Sequence, residues 1–232
     1  LFRRVLKYAY LGNWEKREGN SNVEEEYLTA YLARRGYTDK EIRSAIAKLK
    51  QAAGSLGGGL YNANKEVYTL LRYGVNVQAE VTEKKKMVHL IDWANPMEND
   101  FQIAEEVTIH GTSDRRPDLV VYVNGIALAV IELKRSTVSA HEGIRQNIRN
   151  QQDGYIPRFF TTIQLLFAGN DTEGLHYGVI KTPEKFWLRW KEPCGEPCAK
   201  PHFTAEEYPN ELDRSVLQFF EPPLLFLYIY YV

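Results

Sequence analysis

The run Leu119-Val120-Val121-Tyr122-Val123-Asn124-Gly125-Ile126-Ala127-Leu128-Ala129-Val130-Ile131-Glu132-Leu133-Lys134 decides the fold. Asn-Gly between two apolar runs is a strong hairpin signal, because both residues accept the positive φ that a tight turn needs. Both arms are apolar at every position rather than at alternate ones. Strands of that kind are covered on both faces, so this hairpin lies in the middle of a sheet. Three polar side chains interrupt it: Asp118 at the start of the first arm, and Glu132 and Lys134 at the end of the second. Burying two carboxylates and an ammonium is unfavourable unless they pair or bind a cation. A salt bridge between Lys134 and one acid leaves the other acid unexplained. A divalent cation held by Asp118 and Glu132 accounts for both, and an oxygen-only donor set suits Mg²⁺.

The turn decides whether the two acids can meet. A two-residue loop pairs position 123 with 126 and places Asp118 on the face away from Glu132, because strand side chains alternate. A three-residue loop, with Gly125 left-handed, pairs 122 with 126 and sets Asp118 opposite Val130, on the face of Glu132 and one diagonal step away. The expectation is therefore the three-residue loop, or an equivalent bulge. Glu132 and Lys134 are two apart on a strand and share a face, so one can ligate while the other meets a nucleophile.

Outward from the hairpin, Asn22-Val23-Glu24-Glu25 has capping-box spacing before Leu28, Tyr31 and Leu32. Thr38-Asp39-Lys40-Glu41 opens a second helix that stops at Gly54, and Tyr61 to Tyr73 forms a third. Strand-like runs follow at Val75–Val81, Met87–Trp93 and Ala104–His110. Beyond the hairpin, Ser139-Ala140-His141-Glu142 caps a helix running toward Gln152. The run Thr162–Ala168 is a buried strand, and Leu175–Ile180 pairs with it. The run from Thr182 to Pro223 holds seven of the ten prolines and reads as a wrapping segment. The class expected is α/β, a mixed central sheet flanked by helices. The chain reads as one domain over 1–232, with a helical part over 1–60, a core over 75–182 and the wrapping segment over 183–232.

At 232 residues, 44% hydrophobic, 25% charged and net charge -1, the composition is that of a globular protein. It excludes collagen, low-complexity disorder and a disulfide scaffold. No run approaches the ~20 apolar residues of a membrane span; the nearest, Leu224–Val232, reads as a bare hydrophobic strand. The near-neutral charge argues against a strong sequence-independent duplex binder, so contact with nucleic acid would use a local patch. Both ends read as cut edges of a longer polypeptide. The opening residues are not expected to be a signal segment, and Cys194 and Cys198, with His202 nearby, offer one ligand fewer than structural zinc needs. They read as reduced thiols of a cytoplasmic protein.

Arg116-Pro117-Asp118 followed by Glu132-Leu133-Lys134 resembles the PD-(D/E)xK nuclease signature. Asn124–Ser136, Glu142–Asn147 and Phe159–Asp171 resemble the N-terminal endonuclease domain of type I restriction enzyme R subunits. The resemblance implies a restriction-endonuclease-like core and Mg²⁺-dependent cleavage of double-stranded DNA. Asp118 and Glu132 would be metal ligands, the Leu133 carbonyl a third, and Lys134 the catalytic lysine. It also implies an acid from the first helix, for which Glu25 is chosen over Glu24 and Glu26. The alternative is that this acidic triplet only favours the helix N-terminus. The family's Gln-x-x-x-Tyr motif fits Gln146 by position and Gln151 with Tyr155 by pattern. Arg145 and Arg149 are candidate phosphate contacts. No Gly-x-x-x-x-Gly-Lys-Ser/Thr loop is present. The resemblance implies that ATP belongs to a motor region outside this sequence, and that the partners are methyltransferase and specificity subunits. The competing readings are a non-catalytic nuclease-fold docking module and a repair or junction-resolving nuclease of the same fold.

Overall fold

A computed structural model describes residues 1–78, 84–191, 203 and 206–231. The chain begins with β1 (Ala9–Asn13), then α1 (Glu25–Arg34), α2 (Asp39–Gly54), α3 (Leu60–Tyr73), β2 (Val75–Val77) and β3 (Lys86–Val88). There follow β4 (Phe101–Glu105), β5 (Leu119–Val123), β6 (Ile126–Leu133), α4 (Ala140–Asn150), β7 (Leu165–Asn170), β8 (Gly174–Gly178) and β9 (Leu188–Arg189). Two helices, α5 (Glu211–Phe219) and α6 (Pro222–Tyr231), complete the described part.

Seven strands form one sheet in the order β1-β4-β5-β6-β7-β8-β9, and β2 and β3 form a separate ribbon. β6 and β7 are parallel and connected through α4, and β1 runs parallel to β4; the other pairs are antiparallel. The sheet is thus mixed, with helices on both faces as the sequence indicates. One face packs against α1, α2, α3, α5 and α6 through residues such as Leu28, Leu32, Leu49, Val121, Ile131, Phe167 and Phe219. The other face packs on α4 and its flanking segments through Val120, Tyr122, Val130, Ile144, Phe160 and Leu166. β5 to β7 are consequently covered on both sides, which is why their sequences do not alternate.

The hairpin turn differs from the expected three-residue loop. Val123 pairs with Ile126, and Asn124 and Gly125 both take positive φ, 53° and 80°, in a two-residue turn. The compensating irregularity lies inside the hairpin: Tyr122 pairs with Ala127, but Val121 pairs with Ala129. Leu128 and Ala129 therefore both turn to the face carrying α1–α3, while Ala127 and Val130 face α4. This bulge is the equivalent irregularity that the polar residues require. It places Asp118 directly across from Glu132 rather than diagonally, since Leu119 pairs with Ile131.

Asn124 is fully buried and fixes the turn. Its Nδ2 donates to the Leu90 carbonyl at 2.9 Å and to Asn99 Oδ1 at 2.8 Å, while its Oδ1 accepts from the Asp100 amide at 2.8 Å. α1 starts against the same tip, with the Glu24 amide donating to the Gly125 carbonyl at 2.8 Å.

Other differences have local causes. The residue before α1 is Glu24, not Asn22, because Asn22 and Val23 run extended against the start of β6: the Asn22 carbonyl accepts from the Ala127 amide at 3.0 Å and Val23 bridges to Ile126. β4 ends at Glu105 rather than reaching His110, since Glu106 adopts φ 49° and leaves the sheet. α4 stops at Asn150. β1 was not anticipated; its apolar part is only Ala9-Tyr10-Leu11, and it lies at the sheet edge within the stretch expected to be helical. The closing apolar run is helical: Pro222 begins α6, and Leu225, Phe226 and Ile229 are buried against the sheet. Part of the Val75–Val81 run, and Cys194, Cys198 and His202, fall outside the described residues. Among the described residues no helix is long and apolar enough to cross a membrane.

A Cβ on Gly125 would lie 2.7 Å from the Glu24 carbonyl oxygen and 2.8 Å from the Leu28 nitrogen, at a positive φ. Gly125→Ala is expected to destabilise the domain by about 2–4 kcal/mol, from left-handed backbone strain plus overpacking. Urea unfolding with an unchanged m-value would measure it.

Candidate active site

The site is built at the end of β6 remote from the turn. Glu132 is the last residue of that strand on the α4-facing side and is 0% exposed. Asp118 stands just before β5, and its Oδ2 accepts a 2.7 Å hydrogen bond from the Leu133 amide. That bond ties the acid to β6 and shows that the polar backbone edge of Leu133 faces Asp118. The Leu133 side chain turns to the other face, into a cleft shared with Leu119 and Val216. Lys134 donates from its backbone to the Gly169 carbonyl at 2.9 Å, extending the β6–β7 pairing by one residue. Its Nζ lies 3.7 Å from Glu132 Oε2, 4.0 Å from Asp118 Oδ2, and donates to Gln146 Oε1 at 2.8 Å.

α4 covers this cluster closely because it presents Gly143. A Cβ there would approach the Ala168 Cβ to 3.0 Å and the Glu132 Cβ to 3.3 Å. Glycine inside a helix is unfavourable by about 1 kcal/mol relative to alanine, so its place here reflects that close approach. The approach brings Gln146, one turn further along, to Lys134.

Neither carboxylate oxygen of Glu132 has a hydrogen-bond partner, although both are buried. Burial first, and the neighbouring Asp118 second, push its carboxyl well above the usual carboxylate range; Lys134 opposes the shift without cancelling it. Two facing carboxylates, one with both oxygens unsatisfied, fit a hard cation that would replace the missing hydrogen bonds and offset the like-charge repulsion. Among the described residues no cluster of three His, Cys, Asp or Glu side chains gathers here or elsewhere, so backbone oxygen or solvent would complete such a shell.

The other residues singled out in the sequence divide clearly. Gln146 is in the cluster. Gln151 is not: it is buried at the end of α4, donating to the Asn147 carbonyl and accepting from the Lys181 amide. Tyr155 lies under the Arg115 guanidinium, 4.2 Å from ring centroid to Cζ. Arg145 is held by Glu142 at 2.7 Å and Glu184 at 3.1 Å, whereas Arg149, one turn on, is exposed. Glu25 is not brought to the cluster. It is exposed and paired with Lys50 of α2, and its helix begins at the hairpin tip, about 20 Å away along β6. Glu24 is buried but bound by Arg17 at 2.6 Å and by the Ser21 amide at 2.9 Å. Residues not anticipated are Gly143 and the ion-pair partners of Arg116, namely Glu106 at 2.8 Å and Glu15. A glycine inside a helical pattern was the available signal for the first; ion pairs across distant segments leave none.

Fold and site together define a mixed α/β domain with an acid–acid–lysine cluster at the mouth of its central hairpin. Residues 1–185 match the family model described as the type I restriction enzyme R protein N terminus, and the chain belongs to that family. A Methanocaldococcus jannaschii protein named for a type I restriction enzyme endonuclease subunit is 31% identical over 134 residues, 54% of this chain and 12% of that protein. A second protein of that organism, named in the same way, is 34% identical over 101 residues, 42% of this chain and 9% of the relative. A Staphylococcus saprophyticus type I restriction enzyme endonuclease subunit is 26% identical over 133 residues, 57% of this chain and 13% of the relative. The matched region is thus a small part of these relatives' length.

The raised Glu132 carboxyl has a defined linkage. Its folded-state value lies above the unfolded value of about 4.3, so folding takes up a proton. The metal-free domain is unpenalised below the unfolded value, and loses stability as pH rises from there through the folded value. Glu132→Gln removes the slope. The variant is expected to melt a few degrees above the wild type at pH 8, roughly 1 kcal/mol, and the difference should shrink toward pH 4. Paired melting curves in EDTA check this.

Proposed function

We propose that this chain is the endonuclease domain of a type I restriction R subunit, cutting double-stranded DNA by Mg²⁺-dependent phosphodiester hydrolysis. The observation that carries the reading is the fully buried Glu132 carboxylate, without hydrogen-bond partners, facing Asp118 beside Lys134. Such an arrangement is costly for an apo fold and suited to a cation. Family membership supports the same reading.

Asp118, Glu132 and the Leu133 carbonyl would hold Mg²⁺. At such a donor set a divalent ion supplies Lewis-acid polarisation of the scissile phosphate and a lowered pKa for attacking water. The chain's own groups then have separate tasks. Lys134 Nζ, tethered by the Gln146 carbonyl oxygen, keeps its remaining protons for the phosphate or the attacking water. Gln146 accordingly takes the role of the family glutamine, in preference to Gln151. Glu132 must be ionised to ligate, so cation binding displaces the proton favoured by burial. Leu133, by fixing Asp118 through its amide, keeps the second acid in place. Arg149, exposed on α4, is the better of the two arginines for a phosphate contact, because Arg145 is engaged by two acids.

In this reading the PD-(D/E)xK core acts in the cytoplasm as part of a restriction-modification complex. The methyltransferase and specificity subunits select DNA, and an ATP-driven motor elsewhere in the R polypeptide delivers it. The test uses the full R polypeptide in its complex. Asp118→Ala, Glu132→Ala and Lys134→Ala should each lower the cleavage rate by roughly 10²–10³-fold or more and leave ATP-driven translocation intact. Mn²⁺ should raise the melting temperature of the wild type and not of the two acid variants. Cleavage persisting in all three variants would defeat the assignment.

A further inference from the structure

We infer that Arg116 is a positioning residue that sets the place of Asp118 by tying together three chain segments; this rests on the endonuclease reading. Asp118 lies beyond the last paired residue of β5, so the ladder does not hold it. Its backbone is fixed from the other side: the Glu106 amide donates to the Asp118 carbonyl at 2.8 Å and the Val107 amide to the Pro117 carbonyl at 3.0 Å. Glu106 reaches that position in the left-handed region, φ 49°, which a glutamate does not favour without restraint.

Arg116 supplies the restraint. Its Nε meets Glu106 Oε2 at 2.8 Å, and its Nη1 binds Glu15. Glu15 follows β1, and its carbonyl accepts from Thr108 Oγ1 at 2.8 Å; the preceding Trp14 amide donates to the Glu105 carbonyl at 2.8 Å. One guanidinium thus joins the exit of β1, the exit of β4 and the approach to Asp118. All three side chains are partly exposed, and exposed ion pairs contribute little to stability, so the value of this one is geometric. A planar fork that satisfies two carboxylates in fixed directions is a property of arginine rather than lysine. Because carboxylates occupy two positions on the guanidinium, Arg116 is poorly placed to grip a DNA phosphate.

The experiment measures Mn²⁺ binding by calorimetry on the full-length R polypeptide without DNA, and DNA binding separately in EDTA. Arg116→Ala is expected to weaken Mn²⁺ binding about tenfold and to raise the metal concentration needed for half-maximal cleavage by a similar factor. DNA affinity and its salt dependence should stay at wild-type values. Arg116→Lys should recover only part of the metal affinity. If Arg116→Ala does not fold, Glu106→Gln and Glu15→Gln each remove one arm and should each weaken Mn²⁺ binding severalfold. Mn²⁺ affinity within twofold of wild type in the folded variants overturns the inference. So does weaker DNA binding with a salt slope reduced by about one and unchanged Mn²⁺ affinity, which would mark a phosphate contact. A wild type that neither binds Mn²⁺ nor cuts DNA overturns the endonuclease reading together with this inference. A wild type that does both, with an indistinguishable Arg116→Ala, overturns the inference alone.

Discussion

A carboxylate without hydrogen bonds, sealed inside the protein beside a second carboxylate, is the constraint around which this domain is organised. Glu132 is fully buried although its neighbour Leu133 is exposed, because β6 is covered up to that point by α4 on one side and by the helical layer on the other. The fold compensates partly, with Lys134 within 4 Å of both acids and Gln146 behind it. The deficit that persists is electrostatic, and it gives a stable scaffold an unstable centre. Active sites commonly concentrate such strain, because a group poised to bind a cation is a group left unsatisfied without one.

The scaffold meets this demand by rigidity at a distance. Asn124 anchors the hairpin tip, and the α1 N-terminus closes over Gly125, so the register of β5 against β6 is set at the end remote from the chemistry. Register errors there would propagate undiminished to Asp118 and Glu132. At the chemical end, support comes instead from α4, whose close approach through Gly143 is needed to bring Gln146 to the lysine. The two ends of one hairpin therefore have different jobs, pairing accuracy at the tip and side-chain convergence at the mouth.

Much of this is written in the sequence in a form that physical reasoning can read. Apolar residues on both faces of the hairpin identify it as central, and the three polar interruptions are the side chains that the structure brings together. The demand that two acids share a face requires an irregularity somewhere in the hairpin. Its location is not legible, because Leu128 and Ala129 are as apolar as their neighbours and carry no mark of a bulge. β1 escapes detection because its apolar stretch, Tyr8 to Leu11, is too short to show a period before Gly12 ends it. The final helix is ambiguous for a related reason: a short, uniformly apolar segment has no period to distinguish helix from strand. The first-helix acid fails as an expectation because helical geometry gives the direction of a side chain on its helix and says nothing about which end of the sheet that helix caps. Gln146 and Gln151 are equally plausible in the text, and only the packing of α4 separates them.

The bulge at Leu128 and Ala129 has a consequence for how the length of this hairpin can change. Side-chain direction on a ribbon is a matter of odd and even, and the bulge supplies the one extra residue that converts an unfavourable count into a workable one. Deleting one residue between Asp118 and Glu132 would send one acid to the opposite surface of the sheet, whereas removing or adding residues in pairs would preserve their meeting. Variation in the length of this ribbon is thus subject to a parity rule, and that rule operates several residues away from the two acids whose meeting it governs.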